Sequence, residues 1–264
     1  MKIHPTAAVD SSAVLADDVE IGAFAVVGPE IVIGAGSIIQ SHVVLEGVVR
    51  IGAANVIGHG TVIGGPPQDL GFNPDTRSSV EIGDANVVRE HCTIHRGTAE
   101  GTATTLGDSN FLMAGAHVGH NCRIANRVII ANNCLLGGYV RIDDLAFLGG
   151  GTMFHQKTHV GRLVITQGSS AFGKDIPPFL VAAERNLAVG VNVLGLRRAG
   201  MTGAERDEIK HGFKLLYRSG LNIRQALAKA AETKFGPLGR EFFEFVGNVR
   251  KRGIVSCRRA PKAQ

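Results

Sequence analysis

The chain has 264 residues, 35 of them glycine, with 5% aromatic residues and no tryptophan, which suits a narrow aliphatic core and excludes one built from large rings. It holds no apolar run near 18 residues and no charged-then-apolar leader, so neither a membrane span nor secretion is indicated and a soluble, cytoplasmic protein is expected. The net charge of +5 is uneven: residues 1–178 carry 11 basic against 16 acidic side chains, and the remainder 17 against 7. That positive C-terminal field suits an anionic partner, such as a nucleotide phosphate or an acidic carrier protein. Nucleic acid is not expected, because neither an aromatic platform nor a nucleic-acid motif accompanies the charge.

A bulky apolar residue recurs at every sixth position from the start, through Ile3, Val9, Leu15, Ile21 and Val27 as far as Ile63. The period breaks at Gly64-Gly65-Pro66-Pro67-Gln68-Asp69-Leu70 and resumes at Ile82, Val88 and Ile94. A second break covers roughly His95 to Thr105, and the longest run then follows, from Leu106 and Leu112 through Val118 to Phe172. A strict period of six fits neither a helix nor a simple alternating strand; it marks a hexapeptide-repeat parallel β-helix. Three hexads make one coil, so residues 18 apart stack at about 4.8 Å. The breaks, about 64–81 and 95–105, are predicted loops projecting from the prism. Cys92, Cys122 and Cys134 fall on a small inward position and read as reduced core thiols; four cysteines in all are too few and too scattered for a disulfide framework.

The prism is predicted to end at Asp175-Ile176-Pro177-Pro178, since paired prolines cannot continue a ladder. Residues 1–178 thus form one unit, and 179–264 a connecting segment, a small basic helical domain and a tail. Thr202-Gly203-Ala204-Glu205 reads as a capping box opening a helix that ends near Ser219-Gly220. Asn222 caps a second helix, from Ile223 to about Thr233. Pro237 starts a third, running to about Arg250 with Phe242, Phe243 and Phe245 on its buried side, and the tail from Lys251 is expected to be loose.

The 18-residue coil turns the repeat into a map. His120 stacks on Gly138 and then Gln156; His155 shares a column with Gly119 and Gly137; Asn121, Tyr139 and Lys157 form the next. His117, His120, Gly138, Tyr139, His155 and Gln156 should therefore gather at one edge of the prism, outside the apolar interior. Two chemistries fit such a cluster. Metal binding needs neutral imidazoles converging on one point. Acid–base catalysis needs one histidine with a polar partner near an oxyanion donor, and Gly138 would let a substrate approach its coil's backbone N–H.

Ile63-Gly64-Gly65-Pro66-Pro67-Gln68-Asp69-Leu70, Thr93-Ile94-His95-Arg96-Gly97-Thr98, Leu112-Met113 with Ala116-His117-Val118-Gly119-His120, His155-Gln156 and Gly190-Val191-Asn192-Val193-Leu194-Gly195-Leu196-Arg197-Arg198 carry a resemblance over nearly the whole chain. The chain resembles the acyl-ACP–UDP-N-acetylglucosamine O-acyltransferases, which open lipid A synthesis. The resemblance implies a left-handed coil, against the usual crossover hand, cytoplasmic homotrimers with active sites between subunits, and no metal or organic cofactor. It makes His120 the general base toward the sugar 3-hydroxyl and Gly138 N–H the oxyanion donor. Asp69 would hold the glucosamine ring, and His117, His155 and Gln156 would line the sugar-nucleotide site. Asn192 would face the acyl chain, Arg198 the phosphate, and Gly168 would let the acyl groove run long.

Four positions depart from the family's pattern: Asn121 stands for an acidic residue, Tyr139 for histidine, Gly71 for lysine and Ala199 for a second arginine. Asn121 can orient the His120 ring but cannot stabilise imidazolium by charge. These departures leave open a 3-amino acceptor, giving an amide, and a catalytically weakened trimeric scaffold. The sister N-acyltransferases are disfavoured because hexads start at Ile3, where that family carries an extra domain. A zinc carbonic anhydrase on the same prism has same-coil histidines five apart, whereas His117 and His120 are three apart.

Overall fold

A computed structural model describes residues 1–249 and 252–257. The expected end of the third helix near Arg250 and the start of the tail at Lys251 lie outside the described residues. Short strands, mostly two residues long, form three sheets of 12, 9 and 8 strands that make the faces of a left-handed parallel β-helix. Each strand pairs in parallel with its equivalent one coil on: Ile3 with Ile21, Val118 with Leu136, Leu136 with Phe154. Where the chain makes its excursions, the partners move further apart in sequence, as in Ile63 with Ile94 and Thr93 with His117, so the inward residues still stack, with one bulge at the first excursion that sets Gly65 opposite His95.

The hexad residues point inward. Ile39, Ile57, Val88, Leu112, Ile130 and Leu148 are fully buried, as are Cys92, Cys122 and Cys134 on the small inward position. Ile3, in the first coil, is 41% exposed because no coil covers it from outside. Each fully buried aliphatic side chain contributes about 1.5–3 kcal/mol, so the stack is self-supporting.

The corners repay a closer look. The residue three places after the apolar one adopts a left-handed conformation, as at Asn121 (φ 58°), Asn133 (φ 54°) and Tyr139 (φ 61°). Its N–H then bonds the preceding coil, Tyr139 N–H to the His120 carbonyl at 2.8 Å, which offsets the steric cost of that conformation. The glycine directly after the apolar residue serves closeness instead: a Cβ at Gly119 would lie 2.7 Å from the Leu136 carbonyl oxygen of the next coil.

The three-sided ladder closes near the paired prolines, with Ile176 bridging to Val160. One sheet runs on through residues assigned from sequence to a connecting segment. Leu180–Ala183 pairs in parallel with Ile165–Thr166 and antiparallel with Leu187–Val191, and Ser256–Cys257 adds the last strand. Part of the expected loose tail is therefore strand. The prolines lie in the crossing between faces, where no ladder N–H is required.

Among the described residues four helices follow: α1 (Val193–Arg198), α2 (Gly203–Tyr217), α3 (Ile223–Glu232) and α4 (Pro237–Gly247). The expected capping box of Thr202 with Glu205 forms, the expected cap Asn222 makes a second box with Gln225, and Pro237 sits at the first position of α4. Phe242 and Phe243 are buried as expected, whereas Phe245 leaves the helical core and packs on His159 with ring centroids 4.5 Å apart. A paired contact from Arg162 to Glu241, at 2.9 and 2.7 Å, ties α4 to the prism.

Candidate active site

The strands His117–Val118, Leu135–Leu136 and Met153–Phe154 stack on one face and deliver the corner residues that follow them. Lys157 N–H bonds the Gly138 carbonyl at 2.8 Å as Tyr139 N–H bonds that of His120, so positions 120, 138 and 156 stand on successive coils. The His120 ring lies directly over Gly138: a Cβ built there would be 2.3 Å from both Cε1 and Nε2. Only glycine leaves room for that imidazole. Gly138 N–H has no hydrogen-bond partner among the described residues.

The other edge of the ring is held. His120 Nδ1 lies 3.0 Å from Asn121 Oδ1, and the same oxygen accepts from Thr98 N–H at 3.0 Å and Thr98 Oγ1–H at 2.9 Å. Thr98 Oγ1 also meets the Tyr139 hydroxyl at 2.9 Å, and the Tyr139 ring stands edge-on to His120 with centroids 5.2 Å apart. Lys157 lies over the Tyr139 ring, 5.6 Å from its centroid. Asn121 itself is buried, and its N–H bonds Thr104 Oγ1 at 2.7 Å.

His117 turns to Thr93 Oγ1, 2.7 Å from Nδ1, and meets the His95 ring edge-on at 4.9 Å. Burial pushes His95 down to about 4, with His117 and His120 adding repulsion; burial and His120 lower His117 as well. Both imidazoles are therefore neutral near pH 7. His95 is 8% exposed, and its Nδ1 has no hydrogen-bond partner among the described residues. His95, Thr93 and Thr98 received no individual role from sequence, although the Thr-Ile-His-Arg-Gly-Thr run that contains them was the available signal.

The remaining predicted residues stand apart from His120 within one chain. Asp69 is exposed at the tip of the first loop, where its Oδ1 accepts from Gly71 N–H at 2.9 Å and so caps its own turn. Arg96 holds that loop through the Thr76 carbonyl at 2.8 Å and the face of Phe72. His155 and Gln156 lie one coil beyond Gly138, exposed, with Arg252 donating to His155 Nδ1 and to the Gln156 carbonyl. Asn192 is buried: its Oδ1 caps α1 at Gly195 N–H and its Nδ2 bonds the Leu163 carbonyl at 2.8 Å. Arg198 ends α1, exposed, and Gly168 is an exposed corner whose Cβ would lie 3.0 Å from the Gly150 carbonyl oxygen. No hydrogen bond or ion pair among the described residues joins Asp69, Asn192 or Arg198 to His120.

Two grooves, of about 470 and 750 Å³, flank Tyr139, and neither is lined by half-buried His120. No group of three or more His, Cys, Asp or Glu side chains among the described residues is placed to hold a metal ion. No helix of the described residues is long and apolar enough to cross a membrane.

Comparison with known proteins agrees with this geometry. Residues 175–255 match the family described as Udp N-acetylglucosamine O-acyltransferase, domain 2, and 12–47 and 103–138 match the bacterial transferase hexapeptide repeat. The acyl-[acyl-carrier-protein]–UDP-N-acetylglucosamine O-acyltransferase of Syntrophobacter fumaroxidans is 41% identical over 259 residues, covering 97% of this chain and 100% of that protein. Among solved structures, the UDP-N-acetylglucosamine acyltransferase of Francisella novicida is 36% identical with a TM-score of 0.92, covering 98% of this chain and 95% of that one. The enzyme of the same name from Bacteroides fragilis is 38% identical with a TM-score of 0.91, covering 96% and 99%. With a relative this similar over nearly its whole length and a prism that seats an imidazole on a bare glycine, the chain belongs to the acyl-ACP–UDP-N-acetylglucosamine O-acyltransferase family.

Proposed function

We propose that the protein transfers a 3-hydroxyacyl group from acyl carrier protein to the 3-hydroxyl of UDP-N-acetylglucosamine, the first step of lipid A synthesis, in the cytoplasm. The observation that carries the reading is the His120 ring seated on Gly138 with its Nδ1 edge already committed to Asn121. Asn121 Oδ1 takes the Nδ1 hydrogen, which leaves the Nε2 lone pair to accept the proton of the sugar hydroxyl. The freed oxygen attacks the thioester carbonyl, and the unpaired Gly138 N–H stabilises the resulting oxyanion. Collapse breaks the carbon–sulfur bond, and the imidazolium returns its proton to the departing carrier thiolate. Neutral His117, held by Thr93, lines the sugar side, with His155 and Gln156 beyond it.

The working unit is a homotrimer with the site between subunits. Outward ladders on two sheets are largely apolar, as in Phe111, Ile129 and Phe147 on one and, on another, Val44 and Val62 and then Leu135 beyond Thr93 and His117. The third presents Arg50, Glu81, Arg123 and Arg141. A closed ring of identical chains needs two unlike contact faces on each copy, and two apolar sides of a three-sided prism supply them. In such a ring a neighbour's loop and α1 region bring Asp69, Asn192 and Arg198 toward the sugar nucleotide and acyl chain, and Gly168 lies along the acyl groove.

A mass-spectrometric transfer assay with UDP-N-acetylglucosamine, its 3-amino analogue and a panel of 3-hydroxyacyl carrier proteins tests the reading. Ester product is expected, and His120→Ala should lose at least about 10²-fold in kcat. Near-wild-type turnover in that variant would remove His120 from the mechanism, and product from the 3-amino acceptor alone would shift the assignment to amide formation. Sedimentation equilibrium at the mass of one chain would refute the trimer.

A further inference from the structure

We infer that Thr98, in the second projecting loop, is a positioning residue that sets the tautomer of His120 by locking the rotation of the Asn121 amide. The inference rests on His120 being the base, but its first test does not involve the reaction. A backbone N–H can only donate. The Asn121 atom 3.0 Å from Thr98 N is therefore the carbonyl oxygen and not the amide nitrogen. That same oxygen faces His120 Nδ1 at 3.0 Å and can only accept, so Nδ1 carries the hydrogen and Nε2, over Gly138, keeps its lone pair.

Rotating the amide by half a turn would reverse the outcome. An NH₂ group would then face Nδ1, and the hydrogen would move to Nε2, where a proton acceptor is required. A carboxylate at 121 would accept through either oxygen and would need no such lock; an amide needs one. The second loop supplies it at both ends. Thr98 gives two donors to Oδ1, and Thr104 Oγ1, at the loop's return, fixes the Asn121 backbone at 2.7 Å. Since the Thr98 hydroxyl hydrogen is committed to Asn121, the Tyr139 hydroxyl donates to Thr98 Oγ1, so the ring standing edge-on to His120 closes the chain of contacts. Asn121, Thr98 and Tyr139 thus act as one device, with Thr98 its centre.

The test is ¹⁵N–¹H long-range correlation on the full-length protein labelled at its histidines, with the His120 signals assigned by their loss in His120→Gln, alongside steady-state kinetics. Wild-type protein is expected to show a protonated Nδ1 and a bare Nε2. Thr98→Val keeps the backbone donor but loses the hydroxyl; it should mix in the second tautomer and lower kcat by about tenfold with KM little changed. Thr98→Ser should restore both. Tyr139→Phe, which removes one hydroxyl and leaves the loop backbone alone, gives a milder shift in the same direction if Thr98→Val folds poorly. A protonated Nε2 in wild type, or wild-type tautomer and kcat in both Thr98→Val and Tyr139→Phe, would overturn the inference. The expected tautomer in a protein that transfers no acyl group from any carrier would instead sink the functional reading and leave the lock standing.

Discussion

Gly138→Ala is the sharpest perturbation of this site, because it adds one methyl group and removes no hydrogen-bonding atom. The new Cβ would lie 2.3 Å from His120 Cε1 and Nε2 and 2.9 Å from Nδ1. Carbon contacts settle near 3.5–4.0 Å, so the ring must retreat by about 1 Å or more. That retreat separates Nε2 from the acceptor hydroxyl and strains the Nδ1 contact to Asn121. A displacement of about 1 Å at a reacting group costs on the order of 10²-fold in rate, equivalent to about 2.7 kcal/mol of barrier. The backbone N–H survives, so the loss reports the position of the imidazole and not the oxyanion donor. Gly150→Ala is the matched control: it stands at the same place after Leu148, where the nearest atom to a new Cβ is the Asn132 carbonyl oxygen, at 3.3 Å, and no side-chain ring lies over it. Initial-rate measurements with a 3-hydroxyacyl carrier protein should show the drop at 138 and not at 150, with both melting temperatures near wild type. Full activity in Gly138→Ala would refute the premise that this contact seats the base.

Three further outcomes follow from contacts and shifts elsewhere. Burial, reinforced by His117 and His120, places His95 near 4 in the folded chain against an ordinary value of 6.5; the unfolded chain binds the extra proton between these values, so stability is full above about pH 6.5 and declines toward pH 4, by about 3 kcal/mol at most. Urea midpoints from pH 7.5 to 4.5 should fall less steeply in His95→Gln than in wild type; equal slopes would count against the assignment. Asn192→Ala removes the α1 cap and leaves the Leu163 carbonyl unpaired, and chemical denaturation should record a loss of about 2–3 kcal/mol. Burial pushes Cys122 and Cys134 up to about 12 and Cys92 to about 11, so a thiol-specific disulfide reagent should modify half-buried Cys257 in native protein and reach the other three only on unfolding.

How much was legible depended on which residues share the period. His120, Gly138 and Gln156 were placed on successive coils by arithmetic alone, because in this fold a separation of 18 residues is a distance of one strand spacing. The caps Thr202 and Asn222 and the helix-starting Pro237 were readable for a related reason: their chemistry is local. The six residues of α1 are too few to show a helical period, and its cap Asn192 gives the same letter as a binding residue would. The hairpin Leu180–Ala183 to Leu187–Val191 was hidden behind the paired prolines and turns through Glu184 and Asn186, both left-handed without being glycine. Thr98 and Asp69 sit on excursions, where no register predicts what an atom touches; one proves to hold Asn121 and the other to cap its own turn.

On the proposed reading, that division accounts for an amide, Asn121, serving beside His120. The coil spacing holds the His120 ring over Gly138 regardless of what orients it, since the two are carried by adjacent rungs of one ladder. Orientation is the separate task of the second excursion, which reaches back over the corner to Asn121. A one-residue insertion inside a strand of the intervening coil, Ile129–Ile130 or Leu135–Leu136, would turn its inward positions outward and disturb the site whatever stands at 121. Changes confined to the excursion alter the tautomer and the rate while leaving the imidazole where it is. Placement resides in the repeat and proton control in the loop, so the two can vary independently.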